Sequence, residues 1–203
     1  MPSICLKPLL ALSGALLMGQ VIPALAAPSV PAPPVSVPAG APSVQNAAYQ
    51  ALAGAWVGAL EYRDYSSDGR VTLPMILHIS RARDLNSLML HYIYDDGLTK
   101  VVEDFETVTI DPVANTYTTV SLDGKDKNAD TLAGLAKFAS LGQGPLVRVG
   151  KGQENGKPVA VRTTLTITPR TLTILKETQA PGQPFLFRDQ YTLTRVVPAT
   201  TGH

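Results

Sequence analysis

Cysteine is almost missing from this 203-residue chain: Cys5 is the only one. A lone cysteine closes no intramolecular disulfide and supplies no thiolate cluster for a metal. "PSI" precedes it where a lipoprotein cleavage box would need a Leu-small-small run, so it marks no lipid anchor. Charge of one sign is missing too. Lys and Arg number 17 against 16 Asp and Glu, a net charge of +1, so bulk electrostatics draw the chain to neither nucleic acid nor an anionic membrane. No apolar run reaches the ~20 residues that span a bilayer. The chain also lacks a P-loop, a His-Glu-x-x-His zinc helix and a G-x-S-x-G nucleophile elbow. "LGQGP" at 141–145 is Gly-rich, but it neither follows a strand nor opens a helix. Nothing in the pattern asks for a cofactor.

The first residues carry an address. Lys7 precedes an apolar run from Leu9 to Met18, which Gly19 and Gln20 interrupt, and "ALA" at 24–26 offers small side chains to a signal peptidase. This pattern predicts a signal peptide over 1–26, cleavage before Ala27 and a periplasmic or secreted protein, with no membrane span in the mature chain. Residues 27–47, "APSVPAPPVSVPAGAPSVQNA", are uncharged and rich in Pro and Ala. Such a stretch reads as a disordered tether biased to polyproline II. Residues 198–203 read as a flexible tail.

Between them, residues 48–197 alternate apolar and polar with period two, broken by turn chemistry such as "SSDG", Asp96-Gly97 and Asn155-Gly156. This predicts an all-β fold: a closed antiparallel up-and-down barrel of about eight or nine strands. One short helix is expected mid-chain, within 128–142, capped by Asp130. Loop lengths set a trial register. Tyr65 is paired with Arg70, Asp95 with Leu98, Thr168 with Thr171, and Gln179 with Pro184. Each choice keeps one apolar face continuous except at 145–151, where simple pairing turns Arg148 inward. A β-bulge there would turn Val147 and Val149 inward instead.

The single Trp stands at the first strand, in Gly54-x-Trp56, and Arg195 falls on the inward face of the last. This resembles the lipocalin-like, or calycin, superfamily over residues 50–197. The resemblance implies that Trp56 crosses the closed end of the barrel and that Arg195 stacks on it, with Gly54 allowing close approach. These three residues are a structural signature and name no ligand.

The same register sends polar residues inward: Tyr62, Asp64, Tyr92, Tyr94, Glu103, Lys176, Asp189 and Tyr191. Unpaired charges in a dry core are costly, so either these pair or a partly hydrated cavity exists. The ligand-binding set expected for such a cavity is Tyr62, Leu77, Leu90, Tyr92, Glu103, Phe105, Lys176 and Asp189. Its partner would be a small apolar or amphipathic molecule. His78 and His91 fall opposite each other on the outer face with Asp104 diagonal to His91, ligand types that suit zinc, but solvated outer residues suit the pattern as well and no metal is assigned. Three functions remain open: a binder of a small ligand, a filled barrel acting as a structural or interaction module, and an enzyme using Glu103 or Asp189 as acid or base.

Overall fold

The computed structural model describes residues 43–64 and 66–197. The expected signal peptide, the tether up to residue 42 and the tail lie outside these residues. The chain begins with helix α1 (Val44–Leu52) and continues through β1 (Gly54–Arg63), β2 (Arg70–Arg81), β3 (Leu88–Asp95), β4 (Val101–Asp111), β5 (Thr116–Ser121) and β6 (Lys127–Ala133). Helix α2 (Leu135–Leu141) follows, then β7 (Gly144–Glu154), β8 (Lys157–Ile167), β9 (Thr171–Gln179) and β10 (Leu186–Arg195). Each strand pairs with its neighbour in sequence, and β10 pairs with β1 to close the barrel. Closure removes both sheet edges.

Ten strands form where about eight or nine were expected, with two helices instead of one. The extra strand is β6, which occupies residues read as helix. Its Leu132 is buried and Asp130 shares the inner face, so the period there is two. Asp130 therefore caps nothing. Gly134 separates the strand from α2, whose Leu135 and Phe138 are buried. Helix α1 takes in the last residues of the Pro/Ala-rich stretch. The Ser43 hydroxyl accepts a hydrogen bond from Asn46 N, an N-cap, while Ala48, Tyr49 and Leu52 lie on the buried side. The Tyr49 hydroxyl donates to Asn86 O at 2.8 Å and accepts from Ile110 N at 2.9 Å. Gln45 Nε2 donates to Ile110 O at 2.7 Å. These bonds lock α1 across one end of the barrel.

The core runs inside that end. Trp56, Leu77, Leu88, Val108, Ile110, Leu146, Ile167, Leu172 and Leu193 are all but fully buried. Each such aliphatic side chain stabilises by ~1.5–3 kcal/mol on leaving water. Two trial registers slip by two residues, which keeps every side chain on its face: Trp56 opposes Leu77 and Tyr191 opposes Ile174. The Thr168–Thr171 turn gives Ile167 opposite Leu172 and Leu165 opposite Ile174, as expected. The β3–β4 register differs by an odd step. Asp95 opposes Val101 rather than Leu98, because residues 96–100 form a longer loop tied by Asp96 N to Lys100 O. An odd shift exchanges the two faces of a strand. Glu103 and Phe105 are thereby on the outside, while Val102, Asp104 and Glu106 share the inner face with buried Val108 and Ile110.

One seam of the barrel is short. β6 is paired to β7 only from Thr131 to Ala133, opposite Val149 to Val147. Yet β5–β6 pairing extends to Lys127 and β7–β8 pairing to Glu154. Beyond Thr131 the two strands diverge around a groove of about 340 Å3, lined by both of them.

Candidate functional site

At the plugged end, the Arg195 guanidinium lies 4.0 Å from the Trp56 ring centre. Its Nη1 donates to Ala53 O at 2.5 Å, Nη2 to Ala51 O at 2.7 Å and Nε to Pro169 O at 3.1 Å. Trp56 Nε1 donates to Leu52 O at 3.2 Å. Gly54 has φ +146°, and a Cβ there would meet Arg195 Nη1 at 2.5 Å. The three signature residues thus meet as the resemblance implies, and they fasten the strand ends and α1 to one another.

Above this plug the interior turns polar. Arg148 points inward from β7 opposite Thr163, in plain register and without a bulge. The bulge considered from sequence is therefore absent, and the inward arginine is real. Its guanidinium carbon lies 4.5 Å from the Tyr117 ring centre, and its Nε is 3.6 Å from Asp130 Oδ2. Glu106 also lies within; burial pushes its carboxyl above the ordinary range, with Arg148 opposing the shift. Burial likewise raises Asp189, opposed first by Lys176, and raises Tyr117 to about 12. Tyr92, Tyr94 and Tyr191 cluster, with the Tyr94 and Tyr191 hydroxyls 3.2 Å apart and the Tyr92 and Tyr191 rings at 5.9 Å.

The expected ligand-binding residues divide into three groups. Leu77, Leu90 and Tyr92 meet in the core, where Leu77 opposes Tyr92. Tyr62 opposes Asp189, which opposes Lys176 on the next strand. The two charges stand 4.0 Å apart, which answers the need for pairing. The Tyr62 hydroxyl is buried with no hydrogen-bond partner among the described residues. Glu103 and Phe105 are elsewhere. Phe105 stacks on His91 at 4.1 Å on the outer face, and Glu103 bonds His91 Nε2 at 2.7 Å. Glu106 and Arg148 stand inside instead. Glu106 was hidden by the β3–β4 slip, whereas Arg148 was visible in the simple register.

A void within the barrel, beside the plug, is small, about 20 Å3, and is bordered by Leu90, Leu165, Ile174, Tyr92, Tyr117 and Arg148. A water needs ~10–15 Å3, while a pocket for a drug-sized ligand needs ~300–1,000 Å3. On the outside, His78 and His91 are directly opposite with ring centres 6.1 Å apart. Asp104 is on the other face of β4, and no metal-binding group of three His, Cys, Asp or Glu occurs among the described residues. Around these histidines the outer faces of β1–β4 carry apolar residues among polar ones. Val57 opposes Ile76, which opposes Ile93, and Val57, Ile76, Met89 and Val101 are exposed.

Together these features define a closed ten-stranded antiparallel barrel, plugged at one end by a helix and a Trp–Arg stack, consistent with a lipocalin-like barrel. No protein-family model matches the chain, and no curated protein matches it.

Proposed function

We propose that this chain is an exported, lipocalin-like barrel that acts through its outer surface as an interaction module. The observation that supports it is the tight packing next to the plug: the void there, about 20 Å3, leaves no room for the apolar body of a fatty-acid-sized ligand. The exposed Val57, Ile76 and Met89 on the outer side of β1–β3 are where such a module would meet a protein partner, since exposed apolar patches mark interaction surfaces. Export rests on the pattern of residues 1–26, and the superfamily assignment on Gly54, Trp56 and Arg195. An acid–base enzyme built on Glu103 has little support, because that carboxylate is outside the barrel.

The experiment is a titration of the full-length mature protein with fluorescent fatty-acid and retinoid-like probes, beside partner capture by wild type and Ile76→Glu. The expected result is no saturable probe binding below about 100 μM, and capture that Ile76→Glu abolishes without lowering the melting temperature. Saturable binding displaced by unlabelled ligand would restore the reading of a ligand carrier, for which the polar interior around Tyr62, Lys176 and Asp189 is the supporting observation.

A further inference from the structure

Arg148 Nε has no hydrogen-bond partner among the described residues. Asp130 Oδ2, at 3.6 Å, is an ion-pair neighbour but lies beyond hydrogen-bond distance. A buried guanidinium donor with no acceptor carries a desolvation cost, and a carboxylate is the group whose geometry best matches it. Asp130 is poorly placed to supply that match. It sits one residue past the last β6–β7 pair, and its carboxylate lies over Gly150, where a Cβ would come within 1.9 Å of Oδ1. Asp130 lines the groove between β6 and β7, while Arg148 borders the interior void. The loosely held pair therefore stands between an outer groove and an inner void.

We propose that the β6–β7 opening admits a short-chain carboxylate, whose acid group takes Asp130's place on Arg148 and whose alkyl end enters the void. Asp130 stays tethered to β6, so its side chain has to swing away from Arg148, and the groove it lines, about 340 Å3, has room to receive it. Leu90, Leu165 and Ile174 offer an apolar wall to the remainder, and the void's size confines that remainder to one or two carbons. Lys127 and Lys151 flank the groove and favour anions over cations at its entrance. The site goes beyond the surface function proposed above, and it neither needs nor excludes a protein partner.

The test uses the mature protein at pH 7 and constant ionic strength. Carbon-13 acetate and propionate are titrated by NMR, with butyrate, octanoate and chloride as comparison arms, and the Arg148 Nε–H resonance is followed in the wild type. The expected result is saturable binding of acetate and propionate, a shift of the Arg148 resonance, and little response to octanoate or chloride. Asp130→Asn removes the competing carboxylate and should tighten propionate binding by about threefold to tenfold, each tenfold being ~1.4 kcal/mol. Arg148→Met should abolish binding while leaving Trp56 fluorescence in place; Asp130→Asn decides the matter if that variant does not fold. No saturation by 100 mM, equal affinity in wild type and Asp130→Asn, or a chloride response matching that of acetate would each overturn the proposal. Octanoate binding more tightly than propionate would overturn it as well, and would also count against the filled barrel. Loss of short-carboxylate binding alone leaves the surface function standing.

Discussion

Arg195 is fixed by three carbonyl groups and one indole face. Arg195→Met keeps much of the stem but leaves the Ala51 and Ala53 carbonyls without their donors. The expected loss is about 1–3 kcal/mol, read by denaturant unfolding with Trp56 fluorescence as the probe. Glu106 makes a prediction of the opposite sign. Burial raises its folded-state pKa above the unfolded value, so the native state holds the proton more tightly. Stability from this group is therefore fullest at low pH, and it is lost as pH rises through the unfolded value near 4.5 toward the folded one. Glu106→Gln mimics the protonated acid. It should melt above wild type at pH 7, and the two curves should converge near pH 4 in calorimetry.

Individual elements show which parts of the fold were readable. Hairpins with tight turns, such as β8–β9, were legible down to the residue pair because Thr168-Pro169-Arg170-Thr171 leaves little freedom. Even-numbered slips in β1–β2 and β9–β10 did no harm, since the apolar face is indifferent to a shift of two. At β3–β4 an Asp-Gly pair imitates a two-residue turn, while the chain uses five residues, 96–100, before pairing resumes. Local turn preference misled there, and with it went the placement of Glu103, Phe105 and Glu106. Arg148 failed for another reason. An inward arginine contradicts the apolar pattern, so a bulge looked preferable, yet Tyr117 and Asp130 on other strands are what make it tolerable. Such partners are separated in sequence, and the pattern cannot display them. α1 was hidden by the Pro/Ala-rich stretch it adjoins, although Ser43 and the spacing of Ala48 and Leu52 suit a capped helix. Its anchor is testable. Tyr49→Phe removes the acceptor for the buried Ile110 N and the donor to Asn86 O. The expected cost is about 1–3 kcal/mol, seen as a fall in melting temperature of ~2–4 °C per kcal/mol.

Across the molecule, stability should be uneven. Nine strand seams are paired over five residues or more, whereas β6–β7 is paired over three. Hydrogen exchange should therefore be fastest, among strand amides, on the sides of 127–130 and 150–153 that face the groove, and slowest in the inner rungs of β1, β9 and β10. The N-terminal segment makes a separate prediction: mass spectrometry of exported material should find Ala27 as its first residue.

The seam between the first and last strands has a topological consequence. Trp56 sits opposite Arg195, and Val196 N bonds Ala55 O, so the chain enters and leaves the barrel at the same plugged end. The ladder is continuous around the ring, and where it begins is an accident of translation. Circular permutation follows: residues 43 and 197 joined by a short Gly-Ser linker, with new termini cut at the Asn155–Gly156 turn, should fold to the same barrel. The opposite rim stays clear of residues 43 and 197, so a fusion partner joined directly at either of these would leave that rim facing outward.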